Sequence, residues 1–214
     1  MLKFKKTQKM RGITLMETLL SLAIGGLVIV SSVQGVVTYN ENVKIQASSA
    51  LLKKMQKAAD LYAEDNFDQL VANAPQQLSV TVLDPYLGST ILRDPFRADY
   101  RLGTRTYTYQ TPDPVTGGVT TQDALQVLVI AQGANSHLAD SPSVRIDVAN
   151  TAGTDAGYIS PFDDLCNDAS GTSMPAGTLC GAFGSYAFNT SQFPGLNGNS
   201  RYAALVTKGD SSVY

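Results

Sequence analysis

The carboxylate of Glu17 is the only charge in the apolar run ITLMETLLSLAIGGLVIVSSVQGVV at residues 13–37. A lone carboxylate in hydrocarbon costs on the order of 2.5 kcal/mol or more, so its chemistry is ion pairing and it calls for a cation. Cys166 and Cys180 are the only thiols. If this part of the chain is exported, one disulfide between them is the economical reading, and closing a loop of that size adds roughly 3 kcal/mol. A metal pair is the weaker alternative, because the sole His137 lies far from both in sequence and completes no zinc set. Asp155, Asp163, Asp164 and Asp168 crowd together without EF-hand spacing, so ordinary turn chemistry is preferred to calcium there. Arg93, Arg97, Arg101 and Arg105 recur every four residues among prolines and turn formers, which reads as solvated or loop-tethering arginines. The less favoured reading of these arginines is contact with an acidic neighbour or a sugar phosphate. No nucleophile elbow, zinc-protease helix motif or glycine-rich phosphate loop occurs. His137 reads as a surface loop residue. The chain is therefore expected to be no enzyme, with no catalytic residue, no metal and no cofactor.

The elements that must position these residues begin with a helix. At about 1.5 Å per residue the apolar run exceeds the ~30 Å hydrocarbon thickness of a bilayer. It follows the leader MLKFKKTQKMRG, whose five basic residues keep that end cytoplasmic. No proline interrupts the pattern until Pro75, and Tyr39, Val43, Ala47, Ala50, Leu51, Met55, Ala58, Ala59 and Tyr62 recur at three or four residues. Lys44, Lys53, Lys54, Lys57, Asp60 and Glu64 fill the opposite face. One helix is thus expected from Ile13 to about Asp65, weakest at Gly25 and Gly26, with residues 25–35 its flexible part. Beyond Pro75 the period changes to two, with Val80, Val82, Tyr107, Tyr109, Leu125, Val127, Val129, Val144, Ile146, Tyr186 and Phe188 marking short strands. PDPVTGG at 112–118 joins strands 104–110 and 124–131 as a hairpin. After Ala149 a loop-rich region with few strands is expected.

With 214 residues the chain can hold a membrane helix and one packed domain. Five of its 16 basic residues lie in the leader, and the remaining 11 face 18 acidic residues, which disfavours nucleic acid as a partner.

The basic leader, Gly12, Ile13, Thr14, Leu15, Met16, Glu17 and the apolar helix that follows resemble the type IV prepilin signal. The resemblance implies cleavage between Gly12 and Ile13 by a prepilin peptidase, and N-methylation of Ile13. It also implies that Glu17 is an assembly residue, which pairs with the Ile13 amine of a neighbouring subunit. The implied fold is α+β, the type IV pilin fold: a long N-terminal helix packed on an antiparallel β-sheet with a loop-rich, disulfide-tied C-terminal region. The implied division is a leader at 1–12, a membrane and filament-core half-helix at 13–37, an amphipathic exported half at 38–65, and a β-rich head at 66–214. Other pilin subunits, an inner-membrane assembly platform, a motor ATPase and recipient-surface glycans are the implied partners.

Further pieces are similar to the PilV family of minor pilins from conjugative type IVb pili. They are AADLYAEDNFDQL at 58–70, DPFRADYRL at 94–102, LQVLVIAQG at 125–133, VANTAGTDAGYIS at 148–160, GAFGSYAFNTSQF at 181–193 and RYAALV at 201–206. This resemblance implies a minor pilus subunit serving adhesion or cell contact in conjugation, held in the inner membrane before assembly and on a surface pilus afterwards. DPFRADYR also resembles a loop segment of the major pseudopilin of type II secretion, the alternative within the superfamily. A membrane-anchored carbohydrate-binding protein is the reading from another class.

Overall fold

A computed structural model describes residues 15–88, 93–112, 117–133, 141–161, 166, 171–189 and 191–209. The chain forms two compact units that divide after Asn42. Helix α1, Leu15–Asp65, contributes to both. In the first unit no described residue is buried, and the helix runs unbroken through Gly25, Gly26 and Gly35, where a methyl group would meet nothing.

In the second unit the fold is α+β, as expected, with an antiparallel sheet and one disulfide. Ile45, Ser48, Ser49, Leu51, Leu52, Met55, Ala58, Ala59 and Ala63 form the buried stripe of α1, at the three- and four-residue spacing of one helix face. Of the expected stripe, Leu51, Met55, Ala58 and Ala59 are buried, whereas Tyr39, Val43, Ala47 and Ala50 are exposed. Two serines hid the true face. Ser49 Oγ donates to the carbonyls of Ile45 (2.8 Å) and Val148 (2.9 Å), which satisfies it inside the core. Helix α2, Phe67–Asn73, adds Leu70 to the same core.

The sheet contains β1 (Gln76–Ser79), β2 (Asp99–Pro112), β3 (Val119–Gln132), β4 (Ala156–Ile159), β5 (Leu179–Gly181), β6 (Ala187–Phe188) and β7 (Ser200–Gly209). Their spatial order is β1-β2-β3-β7-β4-β5-β6, with every neighbouring pair antiparallel. The expected hairpin is present and longer than its signal, with Asp99 opposite Gln132 and Pro112 opposite Val119. Residues 113–116 of its connection lie outside the described residues.

Two strand assignments are corrected. Val80 and Val82 lie in a 3-10 turn, Val80–Leu83, entered through Ser79, whose hydroxyl accepts from the N–H of Thr81, and followed by the short helix α3, Asp84–Leu87. Val144 and Ile146 lie in helix α4, Pro142–Ala152. Pro142 occupies the first turn, where its missing N–H costs nothing, and Val144, Val148, Ala149 and Ala152 bury at helical spacing. Two β-branched residues two apart imitated a strand there.

Both faces of the sheet are covered. Leu125, Val127, Val129 and Ala131 of β3 join Leu102, Tyr202 and Ala204 beneath the helices. Leu128 and Ile130 point the other way, into a second core with Ile159, Leu179, Phe193 and Leu196. The loop before β7 therefore closes the outer face. Gly103 is required there, because a Cβ would collide with the carbonyl oxygen of Pro194. The region expected to be loop-rich thus supplies four strands, and β7 lies in the middle of the sheet between β3 and β4.

Candidate anchoring and assembly surface

Among the described residues, nothing in its own unit covers the apolar half of α1. Leu15, Met16, Leu19, Leu20, Leu22, Ile24, Leu27, Val28, Ile29, Val30, Val33, Val36 and Val37 are all more than half exposed. Length and composition suffice to cross a bilayer. Four hydroxyls in this stretch are satisfied within the helix: Thr18 donates to the carbonyl of Leu15 (2.8 Å), Ser31 to Leu27 (2.9 Å), Ser32 to Val28 (2.8 Å) and Thr38 to Gln34 (3.0 Å). Such back-bonds remove most of the cost of placing a hydroxyl where no water can reach it. Glu17 lies in the first helical turn, where the positive end of the helix dipole favours a carboxylate. Gly12 and Ile13 lie outside the described residues, so the cleavage junction and the amine expected to pair with Glu17 have no geometry here.

Comparison with family models, curated proteins and solved structures found no match.

The remaining sequence-derived residues are scattered over the head. Cys166 and Cys180 are bonded to each other, with Cys180 buried in β5. The bridge fastens the segment before β5 to β5 itself, one strand in from the sheet edge. Asp155 Oδ2 accepts from Gln56 Nε2 (3.3 Å), its carbonyl accepts from Leu205 N–H (2.7 Å) and from the Tyr186 hydroxyl (3.0 Å), and among the described residues it belongs to no group of three or more side chains that could hold a metal ion. Asp163, Asp164, Asp168 and His137 lie outside the described residues.

Arg93, Arg97 and Arg101 are exposed, whereas Arg105 is a tether. Its guanidinium carbon stands 4.4 Å from the Phe188 ring centre and 4.7 Å from that of Phe193, and its Nε donates to Gln126 Oε1 (2.7 Å). Burial lowers its pKa from the usual arginine value. The cation pins the outer loop to β2.

A buried cluster escaped the sequence reading. Asp94 Oδ1 accepts from the N–H groups of Phe96 (2.7 Å) and Ala98 (3.4 Å), and Oδ2 from the hydroxyls of Tyr100 (2.8 Å) and Tyr202 (2.7 Å). Burial first, then the neighbouring charge of Asp94 among other groups, pushes the Tyr202 phenol well above its ordinary value. Burial likewise raises Tyr100. This carboxylate organises a loop and two strands, and its environment is closed. Near it in sequence only the Asx-turn spacing, an aspartate two residues before a bonded N–H, offered a signal. On α1, Asp60 and Glu64 face Lys208 of β7 at 2.9 and 3.2 Å. The Asp60 hydrogen bond is the largest cause of the raised Lys208 pKa.

Proposed function

We propose that the chain is a structural subunit of the type IV pilin class, closest to the minor pilins of type IVb conjugative pili, cut after Gly12 and assembled through its N-terminal helix. The observation that carries this reading is a helix whose residues 15–37 are apolar apart from Glu17 in the first turn and a few small polar residues, with no residue buried among those described before Ile45. A basic leader ending in glycine precedes it. The physical mechanism is transfer of that apolar surface from lipid into a bundle of like helices. Glu17 is then neutralised by the amine of Ile13 on the next subunit, an ion pair that N-methylation preserves. In this proposal a prepilin peptidase, a platform protein and a motor ATPase act on the chain, and the head serves cell contact without catalysing a reaction.

The test is the mass of the N-terminal peptide together with the fate of Glu17→Ala. The reading expects Ile13 at the N-terminus carrying one methyl group, and a Glu17→Ala chain that is still cut after Gly12 but is depleted from sheared filaments. An intact Met1 in the mature membrane pool, or a cut beyond Ser31, would favour an anchored or secreted protein of another class.

A further inference from the structure

Three lysines and three acids at the far end of α1 repeat one spacing. Lys53, Lys54 and Lys57 stand at positions i, i+1 and i+4, and Glu64, Asp65 and Asp68 repeat that arrangement eleven residues later. Eleven residues make about three helical turns and about 16 Å, so Glu64 and Asp65 lie beyond Lys53 and Lys54 on nearly the same side of the helix. Asp68 belongs to α2, which follows α1 after Asn66. Bonds from Asn66 N–H to the Tyr62 carbonyl (3.1 Å) and from Leu70 N–H to the Asn66 carbonyl (2.9 Å) span that junction. All six side chains are exposed.

This charge order works against the helix that carries it. No acid stands three or four residues from Lys53 or Lys54, and the one beside Lys57, Asp60, is held by Lys208 at 2.9 Å. Lys208 also reaches Glu64 at 3.2 Å, so it offsets one of the four acids between residues 60 and 68. Three acids remain in excess, against three lysines that make no ion pair among the described residues. Acids at the C-terminal end of a helix, with cations before them, also oppose the helix dipole.

We infer that this face of α1 is a contact between copies of the chain, in which the lysine triplet of one copy meets the acidic triplet of a parallel copy displaced by eleven residues. The occupant is a second copy because the chain carries the complement of its own lysines at the same spacing. In that register Lys53, Lys54 and Lys57 lie opposite Glu64, Asp65 and Asp68, and the exposed Ala50 lies opposite the exposed Leu61, small against large. Copies level with one another would instead set lysine beside lysine and acid beside acid. Copies arranged about a common axis turn the same stripe inward, which lets the stripe meet itself. The displaced copy keeps its own acids free for a third, so the contact propagates as an open series rather than closing as a dimer. Exposed ion pairs contribute little each, so the match sets the axial offset between heads more than the strength of their association. The inference rests on the filament reading and adds to it what spaces the heads. A helical bundle gives each subunit several neighbours at different offsets, so this contact and the pair between Glu17 and Ile13 join different copies.

The test uses the full chain and compares sheared filaments with the membrane pool. Lys54→Glu with Lys57→Glu, and separately Asp65→Lys with Asp68→Lys, should each lower the filament share of the chain about tenfold. Co-expressing the two variants puts acids opposite lysines again wherever they alternate, and should return the share to within about twofold of the original. Neither a folding defect nor the loss of an anionic ligand from the lysines would be rescued in this way. Both native cysteines are bonded, so an added cysteine is the only free thiol. A bis-maleimide reaching about 10 Å, the distance between packed helix axes, should join Lys54→Cys chains to Asp65→Cys chains in filaments about fivefold more than it joins Lys54→Cys chains to each other. An unchanged filament share in both charge variants, failure of co-expression to rescue them, or equal crosslinking of the two cysteine pairings overturns the contact, even where Ile13 is found at the N-terminus and Glu17→Ala is depleted. A chain that keeps Met1 and forms no filament overturns the filament reading and this contact with it, and the N-terminal mass tells the two failures apart.

Discussion

Tyr202 donates its hydroxyl to Oδ2 of Asp94 over 2.7 Å, fastening β7 to a loop 108 positions earlier in the chain. Tyr100 shares the same oxygen, and the other oxygen caps a turn through Phe96 and Ala98. Asp94→Ala strips the acceptor from both phenols inside the core. It should cost about 3 kcal/mol or more, since hydrogen bonds to charged groups contribute roughly 1.5–3 kcal/mol each. Denaturant midpoints of the full chain measure it, and a loss below about 1 kcal/mol would show that the cluster is not a structural joint.

The same cluster sets a pH limit. Tyr202 and Tyr100 hold their protons more tightly folded than unfolded, chiefly because burial penalises the phenolate. Above the ordinary phenol value of about 10 the unfolded chain binds fewer protons than the folded one, so stability falls as pH rises. Below that value the contribution is fully present. Stability measured from pH 8 to 12 should decline with a slope that Tyr202→Phe makes shallower, and an unchanged slope in that variant would assign the decline elsewhere.

Arg105 should be irreplaceable by lysine. A guanidinium lies flat against two rings and donates from Nε at once, whereas a lysine ammonium, a point charge with no planar face, cannot reproduce both contacts together. Arg105→Lys should destabilise the head by about 1 kcal/mol, and a double-mutant cycle with Phe188→Leu should return a coupling of similar size. Additive losses would show that Arg105 and Phe188 act separately.

Gly103→Ala tests the closure of the outer face. The added methyl meets the carbonyl oxygen of Pro194, backbone against backbone, so one of the two must move. The expected cost is about 1–3 kcal/mol. Gly133→Ala, where the nearest atom is the flexible Cγ of Arg201 at 3.9 Å, should change stability by no more than about 0.5 kcal/mol.

How far the sequence spoke for itself varied with the physics of each element. The long helix and the β2–β3 hairpin were legible because their patterns are local: an unbroken apolar run, a helical period, and turn formers between alternating residues. The exact seam of the helix was not, since Ser48 and Ser49 look polar until Ser49 is seen bonded to Val148 across 99 positions. β7 was quiet because Ala203 and Ala204 fill its buried centre with little apolar signal. α4 was misread because Val144 and Ile146 match both periods over so short a span. At the candidate surface Glu17 announced itself by being alone among apolar residues. Asp94 did not, because its two phenol partners follow six and 108 positions later and no spacing rule joins them.

The central place of β7 also orders events in time. Among the described elements it is made last, yet it separates β3 from β4 in the finished sheet. While the chain is being synthesised β3 lacks its neighbour, and Leu128 and Ile130 stay uncovered until residues 193–209 arrive. Long-range strand pairing of this kind forms slowly and leaves apolar surface open to wrong partners in the meantime. A helix already lodged in a bilayer by then would tether the unfinished head, limiting its encounters to copies that share the same membrane.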